Sequence, residues 1–397
     1  MMSVWSSLVG QDAAVAKLSE AAASARAIVA SRGSGRTSDE ARSMSHAWLI
    51  TGPPGSGRSV AARAFAAALQ CTGATPGCGQ CPGCRTTMGR TNADVLFAAT
   101  ETSIINVDTA RSLVLQAQSS PSQGLWRVIV VEDADRLGES GANALLKAIE
   151  EPPEHTVWLL CAPSPEDMIA TIRSRCRHLG LRIPTASAVA DLLVREGVAT
   201  PEVALEAARA AQSHIGLARA LARDPQMRER RRAIITAPAS VRSVGEAVMA
   251  ADRLLETAKA QADAQVSDRN ACEKADLLRQ LGMEEGENAT KASRTMLRQL
   301  EEDQKRRSKR ALTDAIDRAL IDLLAIYRDV LMVQVGGDGE LINTDLSELV
   351  HQIAHDSTPH QTLARVDHIE TARKRLVSNG NPLLVLEDMA ISLRPQA

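Results

Sequence analysis

The segment Gly52-Pro53-Pro54-Gly55-Ser56-Gly57-Arg58-Ser59 follows the short apolar run Ala47-Trp48-Leu49-Ile50 and precedes an Ala-rich stretch from about Ser59 to Leu69. A glycine-rich turn between an apolar strand and a helix commits the chain around it to a P-loop α/β fold. The glycines let successive backbone N–H groups point inward and cradle phosphates, and the following helix adds its positive N-terminal end. The segment fits G-x-x-x-x-G-K-[ST] except that Arg58 stands where Lys is expected. Gly52, Gly55, Gly57, Arg58 and Ser59 are therefore candidate ligands of ATP or ADP, with Ser59 placed to hold Mg²⁺. Lys reaches terminal phosphates as a compact charge, whereas Arg is larger and planar and not interchangeable with it. Two readings stay open: weak or non-productive nucleotide binding, and a loop that keeps only its fold.

The alternation continues beyond the loop. Val95-Leu96-Phe97, Val128-Ile129-Val130-Val131 and Val157-Trp158-Leu159-Leu160-Cys161 read as strands. Helices are predicted over 107–118 and 139–151, the second stopped by Pro152-Pro153. Strands alternating with helices argue for a parallel sheet covered on both faces. Residues 31–45, rich in Gly, Ser and Arg, read as a surface loop. After about residue 180 the strand signals vanish. Short helices are expected over 185–235 and longer ones over 241–397. The 397 residues predict two or three domains: a P-loop domain over 1–180 with a cysteine insert at 71–84, a helical lid over 181–240, and a helical domain over 241–397 with a charged insert near 258–310. The basic end of that insert, Lys305-Arg306-Arg307-Ser308-Lys309-Arg310, is read as a solvated helix face in preference to a nucleic-acid contact.

Lys plus Arg total 46 and Asp plus Glu 48, a net charge of −2, which excludes a globally basic nucleic-acid coat. Aromatic residues are only 2%, so autonomous single-strand binding on a stacking platform is not expected. There is no run of eighteen apolar residues and no basic start followed by an apolar core, so neither a membrane helix nor a signal peptide is expected. The expected compartment is the cytoplasm. There the seven cysteines are thiols or metal ligands in preference to disulfides.

The strand at 128–131 ends in Glu132-Asp133-Ala134-Asp135. P-loop ATPases place an Asp here for Mg²⁺ and many add a Glu to polarise the attacking water. Here Glu132 takes the metal position and Asp133 the water position, so the side-chain lengths are exchanged. A plain surface or capping role is the alternative. Cys71, Cys78, Cys81 and Cys84 supply four thiolates within fourteen residues, with Gly and Pro between them for tight turns. That spacing suits tetrahedral Zn²⁺ with no open position, hence a structural ion; an iron–sulfur cluster is a minor alternative. Cys161 lies in an apolar strand and reads as core. His46, His155, His178 and His214 are scattered and read as structural. Asp108 and Arg111 read as an i,i+3 helix pair.

The order of P-loop, four-cysteine insert and acidic strand is followed by Asn143-Ala144-Leu145-Leu146-Lys147-Ala148-Ile149-Glu150-Glu151-Pro152-Pro153. About twenty residues later comes Thr171-Ile172-Arg173-Ser174-Arg175-Cys176. With the opening Trp5-Ser6-Ser7-Leu8-Val9-Gly10-Gln11, this resembles the AAA+ subunits of bacterial DNA polymerase III clamp loaders over about residues 4–180. The C-terminal half is similar only loosely, in helical character and around Tyr327-Arg328-Asp329.

The resemblance implies an AAA+ P-loop domain with a zinc insert, then an all-α lid and an all-α collar. Within the family the details look like delta-prime in preference to the motor subunits gamma and tau. Motors carry Asp-Glu where this chain has Glu132-Asp133, and a polar residue where it has Ala162. They carry a phosphate-sensing Arg roughly where it has Ala218, beside Arg219. What the family pattern keeps is Ser174-Arg175-Cys176, whose Arg175 would project onto a neighbour's ATP as an arginine finger in trans. The implied partners are gamma/tau and delta subunits in a hetero-pentamer, the sliding clamp, and primed DNA through the assembly. The alternatives are a motor-type subunit that hydrolyses ATP itself and a zinc-dependent DNA-binding module.

Overall fold

Five short parallel strands carry the first half of the chain: β1 (Ala47–Thr51), β2 (Val95–Ala98), β3 (Arg127–Val131), β4 (Thr156–Ala162) and β5 (Arg177–Gly180). Their order in the sheet is β2-β3-β4-β1-β5. The computed structural model describes residues 3–30, 43–98, 105–281 and 291–394. Most of the loop expected over 31–45, and residues 282–290 of the charged insert, lie outside them. The chain divides into two compact units, Met1–Ala222 and Arg223–Ala397.

In the first unit the helices are α1 (Asp12–Ala30), α2 (Arg58–Leu69), α3 (Pro82–Met88), α4 (Val107–Ala117), α5 (Glu139–Glu150) and α6 (Ala170–Arg173). β1 and β4 are buried at every residue, as central parallel strands must be when both faces are covered. Side-chain alternation then sorts the core. Trp48 and Ile50 pack with Phe65 of α2 and Leu18 of α1, the Trp48 and Phe65 rings meeting edge to face at 5.2 Å. Ala47, Leu49 and Trp158 turn to the other face, with Leu113 of α4 and Leu145 of α5.

β5 is the strand that hydrophobic periodicity does not reveal. Three of its four residues, Arg177, His178 and Gly180, are exposed. It is an edge strand recruited by its register on β1, with Trp48 opposite Arg177 and Thr51 opposite Gly180. Beyond it follow α7 (Ala186–Arg195), α8 (Pro201–Ala210) and α9 (Ile215–Arg223). Within the stretch expected as a lid over 181–240, α10 (Pro225–Ser240) is grouped with the second unit.

The second unit is helical among its described residues: α10, α11 (Val244–Leu281), α12 (Lys291–Gln334), α13 (Ser347–His355), α14 (Pro359–Val377) and α15 (Pro382–Ser392). Ile316, Leu320, Leu323 and Ile326 of α12 form its core with Leu255, Val350, Ile369 and Leu386. The described parts of 258–310 belong to α11 and α12. Their basic cluster is paired within the fold. Arg307 donates to Asn270 Oδ1 at 2.7 Å and Glu273 Oε2 at 2.8 Å. Arg306 pairs with Asp303, and Arg310 lies 3.6 Å from Asp314. Asp329, from the Tyr327-Arg328-Asp329 run, is fully buried and accepts from the Ile342 and Asn343 backbone and from the Asn343 amide. It ties the end of α12 to the loop after it.

In the first unit a carboxylate does the same work. Asp94, fully buried before β2, accepts the N–H groups of Ser122, Gln123 and Gly124 and the Ser122 hydroxyl, at 2.6–2.9 Å. Burial pushes its carboxyl up, but these donors outweigh it and hold the group below the ordinary carboxylate range. A depressed folded pKa means stability that is present above the unfolded value of about 3.9 and lost as pH falls through the folded value. Asp94→Asn would turn an amide donor toward these N–H groups. It is expected to cost about 2–3 kcal/mol at pH 7, read from urea midpoints, with the gap to wild type narrowing below about pH 4.

Candidate functional site

β1 ends at Thr51, and its register places Thr51 opposite Ala162 of β4 and Gly180 of β5. The turn 52–57 therefore opens at the carboxyl edge of the sheet, beside the ends of β4 and β5. Gly55 (φ +87°) and Gly57 (φ +91°) sit in the left-handed region. A Cβ at Gly55 would come within 2.8 Å of His214 Cα, so the loop is packed directly against the start of α9. The Gln11 amide clamps the turn from below, donating to Ser56 O at 3.3 Å and Arg182 O at 2.6 Å and accepting from Arg182 N at 3.2 Å. Ser56 Oγ is buried without a hydrogen-bond partner. The loop thus keeps two left-handed glycines and an unengaged buried hydroxyl among the described residues, groups that a phosphate could use.

Its charged groups are committed elsewhere. Arg58, the first residue of α2, folds back so that Nη1 donates to the Gly52 carbonyl of its own loop. Glu132, at the metal position, is tied to Arg90: Arg90 Nη2 lies 2.5 Å from Glu132 Oε1, with the Glu132 side chain 12% exposed. Arg90 also stacks over Phe97 at 5.0 Å. Arg63 of α2 stands close enough to feel both. Burial and Arg90 lower its pKa while Glu132 raises it. One oxygen of the Glu132 carboxylate is therefore paired with a protein cation. Asp135, two residues beyond Asp133, has its pKa raised by burial and by Asp133, with Arg136 and Arg58 opposing. Cys161 is fully buried core, its thiol pushed up to about 12 chiefly by burial. Cys176 is pushed up to about 12 by burial as well.

In the helices after β5, Ala218 is fully buried and Arg219 turns to Glu196. Two parallel bonds of 2.9 Å link them, Nε to Oε2 and Nη2 to Oε1. Neither residue supplies a cation to the loop. His214 accepts from Leu217 N at 3.2 Å through Nδ1, and His178 Nε2 lies 2.6 Å from Thr51 Oγ1. Asp108 and Arg111 are an exposed pair 3.7 Å apart.

Arg175 follows α6 and remains on the surface. Its Nε pairs with Glu150 at the end of α5, and Nη1 donates to Thr171 O at 2.6 Å and Ser174 Oγ at 3.3 Å. Sequence reasoning missed four of these partners. Gln11 and Glu150 stood in motifs already singled out, but nothing in the sequence points to Arg90 or Glu196 as partners.

The cysteine insert closes on itself. The Sγ atoms of Cys71, Cys78, Cys81 and Cys84 all lie within 4.8 Å of one another. Four sulfurs about 2.3 Å from a tetrahedral ion stand about 3.8 Å apart, and Cys81 and Cys71 Sγ are 3.9 Å apart. Backbone N–H groups already aim at sulfur: Cys81 N to Cys78 Sγ and Cys84 N to Cys81 Sγ, both 3.4 Å. Burial raises the Cys81 thiol, but N–H donors from Cys84 and Thr72 outweigh it and bring it to about 6. Burial pushes the Cys84 thiol up. Arg26 of α1 pins the insert through Cys71 O at 2.9 Å and Ala74 O at 2.8 Å. The donor set fits a metal ion. Native mass spectrometry is expected to find a single ion per chain, and Cys84→Ala to lose it and lower the melting temperature by several degrees. A metal-free chain whose melting is indifferent to chelators would contradict this.

A family model described as DNA polymerase III, delta subunit, matches residues 36–185. The gamma/tau subunit of Mycobacterium tuberculosis is 36% identical over 162 residues, covering 39% of this chain and 28% of its own. The delta-prime subunit of Pseudomonas aeruginosa is 35% identical over 165 residues, 41% of this chain and 50% of its own. That of Escherichia coli is 34% identical over 180 residues, 44% and 54%. The chain thus spans about half or less of these relatives' length. A solved gamma-subunit-related protein from Thermotoga maritima is a distant likeness, with TM-score 0.43 and 16% identity over 87% of this chain and 93% of its own. Residues 36–185 are thus similar to clamp-loader subunits of DNA polymerase III, to delta-prime and gamma/tau subunits alike.

Proposed function

We propose that the chain is the delta-prime subunit of a bacterial clamp loader. It acts in the cytoplasm as a largely non-hydrolysing scaffold in a hetero-pentamer with gamma/tau and delta subunits, which loads the sliding clamp onto primed DNA. The observation that carries this reading is the contrast between two sets of arginines. Arg58 donates to the chain's own loop and Arg90 pairs with the acidic strand end, while Arg175, though paired with Glu150, leaves Nη2 without a partner among the described residues. Hydrolysis needs a cation on the terminal phosphate and a carboxylate free for Mg²⁺. Glu132 is engaged by Arg90, and Asp133, at the water position, is one methylene shorter than the Glu that motors use. Arg175 instead offers a permanently charged planar donor, the chemistry that stabilises charge on a neighbour's γ-phosphate in trans.

The Cys71, Cys78, Cys81 and Cys84 cluster is taken as a structural Zn²⁺ site, with all four positions filled by protein. The preserved cradle of Gly52, Gly55, Gly57 and Ser59 supports ATP or ADP binding without turnover. The second reading, a motor-type subunit, draws on that same cradle and on the 36% identity to a gamma/tau subunit.

The test is steady-state ATP turnover, stimulated by clamp and primed DNA, of the chain alone and of the loader assembled with wild-type or Arg175→Ala chain. The chain alone should be inert, and Arg175→Ala should slow the assembled loader by about tenfold or more without dissociating it. Turnover by the chain alone that Arg58→Ala abolishes would establish the motor reading instead.

A further inference from the structure

Arg175 is held by one ion pair and two hydrogen bonds within its own unit. Nε is ion-paired with the Glu150 carboxylate, and Nη1 donates to the Thr171 carbonyl at 2.6 Å and to Ser174 Oγ at 3.3 Å. A guanidinium is a rigid planar fork of five donors. Holding Nη1 by hydrogen bonds and Nε by the ion pair therefore sets the direction of Nη2, which makes no hydrogen bond or ion pair among the described residues. The side chain is 38% exposed.

Glu150 stands where helix stability alone would not put it. It is the last residue of α5, with Glu151 as the cap after it. Unsatisfied carbonyls make that end of a helix negative, so a carboxylate there is unfavourable unless a cation answers it. Lys147 lies in the same last turn, yet the pairing of Glu150 is with Arg175. Pro152-Pro153 ends the helix at this point and leaves Glu150 facing the turn that follows α6. The pair thus joins the ends of α5 and α6 across the residue that is to act on another subunit.

We propose that Glu150 is a positioning residue for the finger. It holds the Arg175 guanidinium with its Nη2 edge turned outward, so that a neighbour's terminal phosphate meets a donor already oriented. The proposal rests on the assignment of Arg175 as a finger in trans. A free arginine would have to lose its rotamer freedom at the moment of reaction, whereas a preorganised donor needs no reorganisation then. Glu150 itself touches neither the phosphate nor the attacking water.

The test uses the complete loader, with this chain as wild type, Glu150→Ala, Glu150→Gln, Arg175→Ala or the double Glu150→Ala/Arg175→Ala. Assembly is checked by size exclusion, and kcat and KM for ATP are read with clamp and primed DNA. Glu150→Ala should lower kcat about three- to tenfold with KM changed less than about twofold. Glu150→Gln, near-isosteric and still an acceptor for Nε, should fall between and serves if the Ala variant does not assemble. In the Arg175→Ala background Glu150→Ala should add nothing. An unchanged kcat for Glu150→Ala, in a loader that Arg175→Ala slows, overturns the proposal and leaves the finger standing. A raised kcat also overturns it, making Glu150 a restraint. A loss that persists undiminished without Arg175 overturns it as a packing effect. If Arg175→Ala leaves kcat unchanged, the finger assignment falls, and the positioning role with it.

Discussion

The register of β1 between β4 and β5 is the constraint on which the first unit depends. Thr51 lies opposite Ala162 on one side and Gly180 on the other. Three loops therefore leave the same edge of the sheet: the phosphate loop, the turn toward α6 and the segment leading to α7. Because β3 pairs with β4, the acidic run Glu132-Asp133-Ala134-Asp135 emerges at that edge as well. A fully buried parallel pair cannot slip by a residue without turning its whole apolar set to the wrong face. The meeting of Arg58, Glu132 and Asp135 at one place is thus a consequence of core packing, before any ligand is considered.

The charges at that edge pair largely within the chain. Arg58 finds the Gly52 carbonyl, Glu132 finds Arg90, and Arg219 finds Glu196. Each pairing removes a group from the set that a Mg²⁺-nucleotide would call on. Arg175 also has a carboxylate partner, but it keeps an unengaged edge and an exposed position.

Much of this was legible in the sequence where the physics is local. β1, β3 and β4 are continuous apolar runs because both faces of the sheet are covered. The cysteine cluster follows from spacing because tetrahedral coordination acts over a few residues. β5 was hidden, since Arg177 and His178 on an edge strand need not be apolar. The pairs Arg90–Glu132, Arg219–Glu196 and Arg231–Asp322 were hidden too, because they join residues far apart in the chain through folding alone. The charged stretch 258–310 looked like an insert, yet its described parts continue α11 and α12. Its polarity reflects helix faces laced by ion pairs, with only a small apolar seam of Ala262, Val266 and Ala311 between them.

If the Arg90–Glu132 pair holds when nucleotide binds, the Glu132 carboxylate is not available to Mg²⁺. Titrating ATP into the isolated chain with and without Mg²⁺ tests it most directly. The account predicts that Mg²⁺ changes the dissociation constant by less than about twofold, whatever the affinity. Tightening by about tenfold or more that Glu132→Ala removes would show that Arg90 yields its place to the metal, and would contradict it.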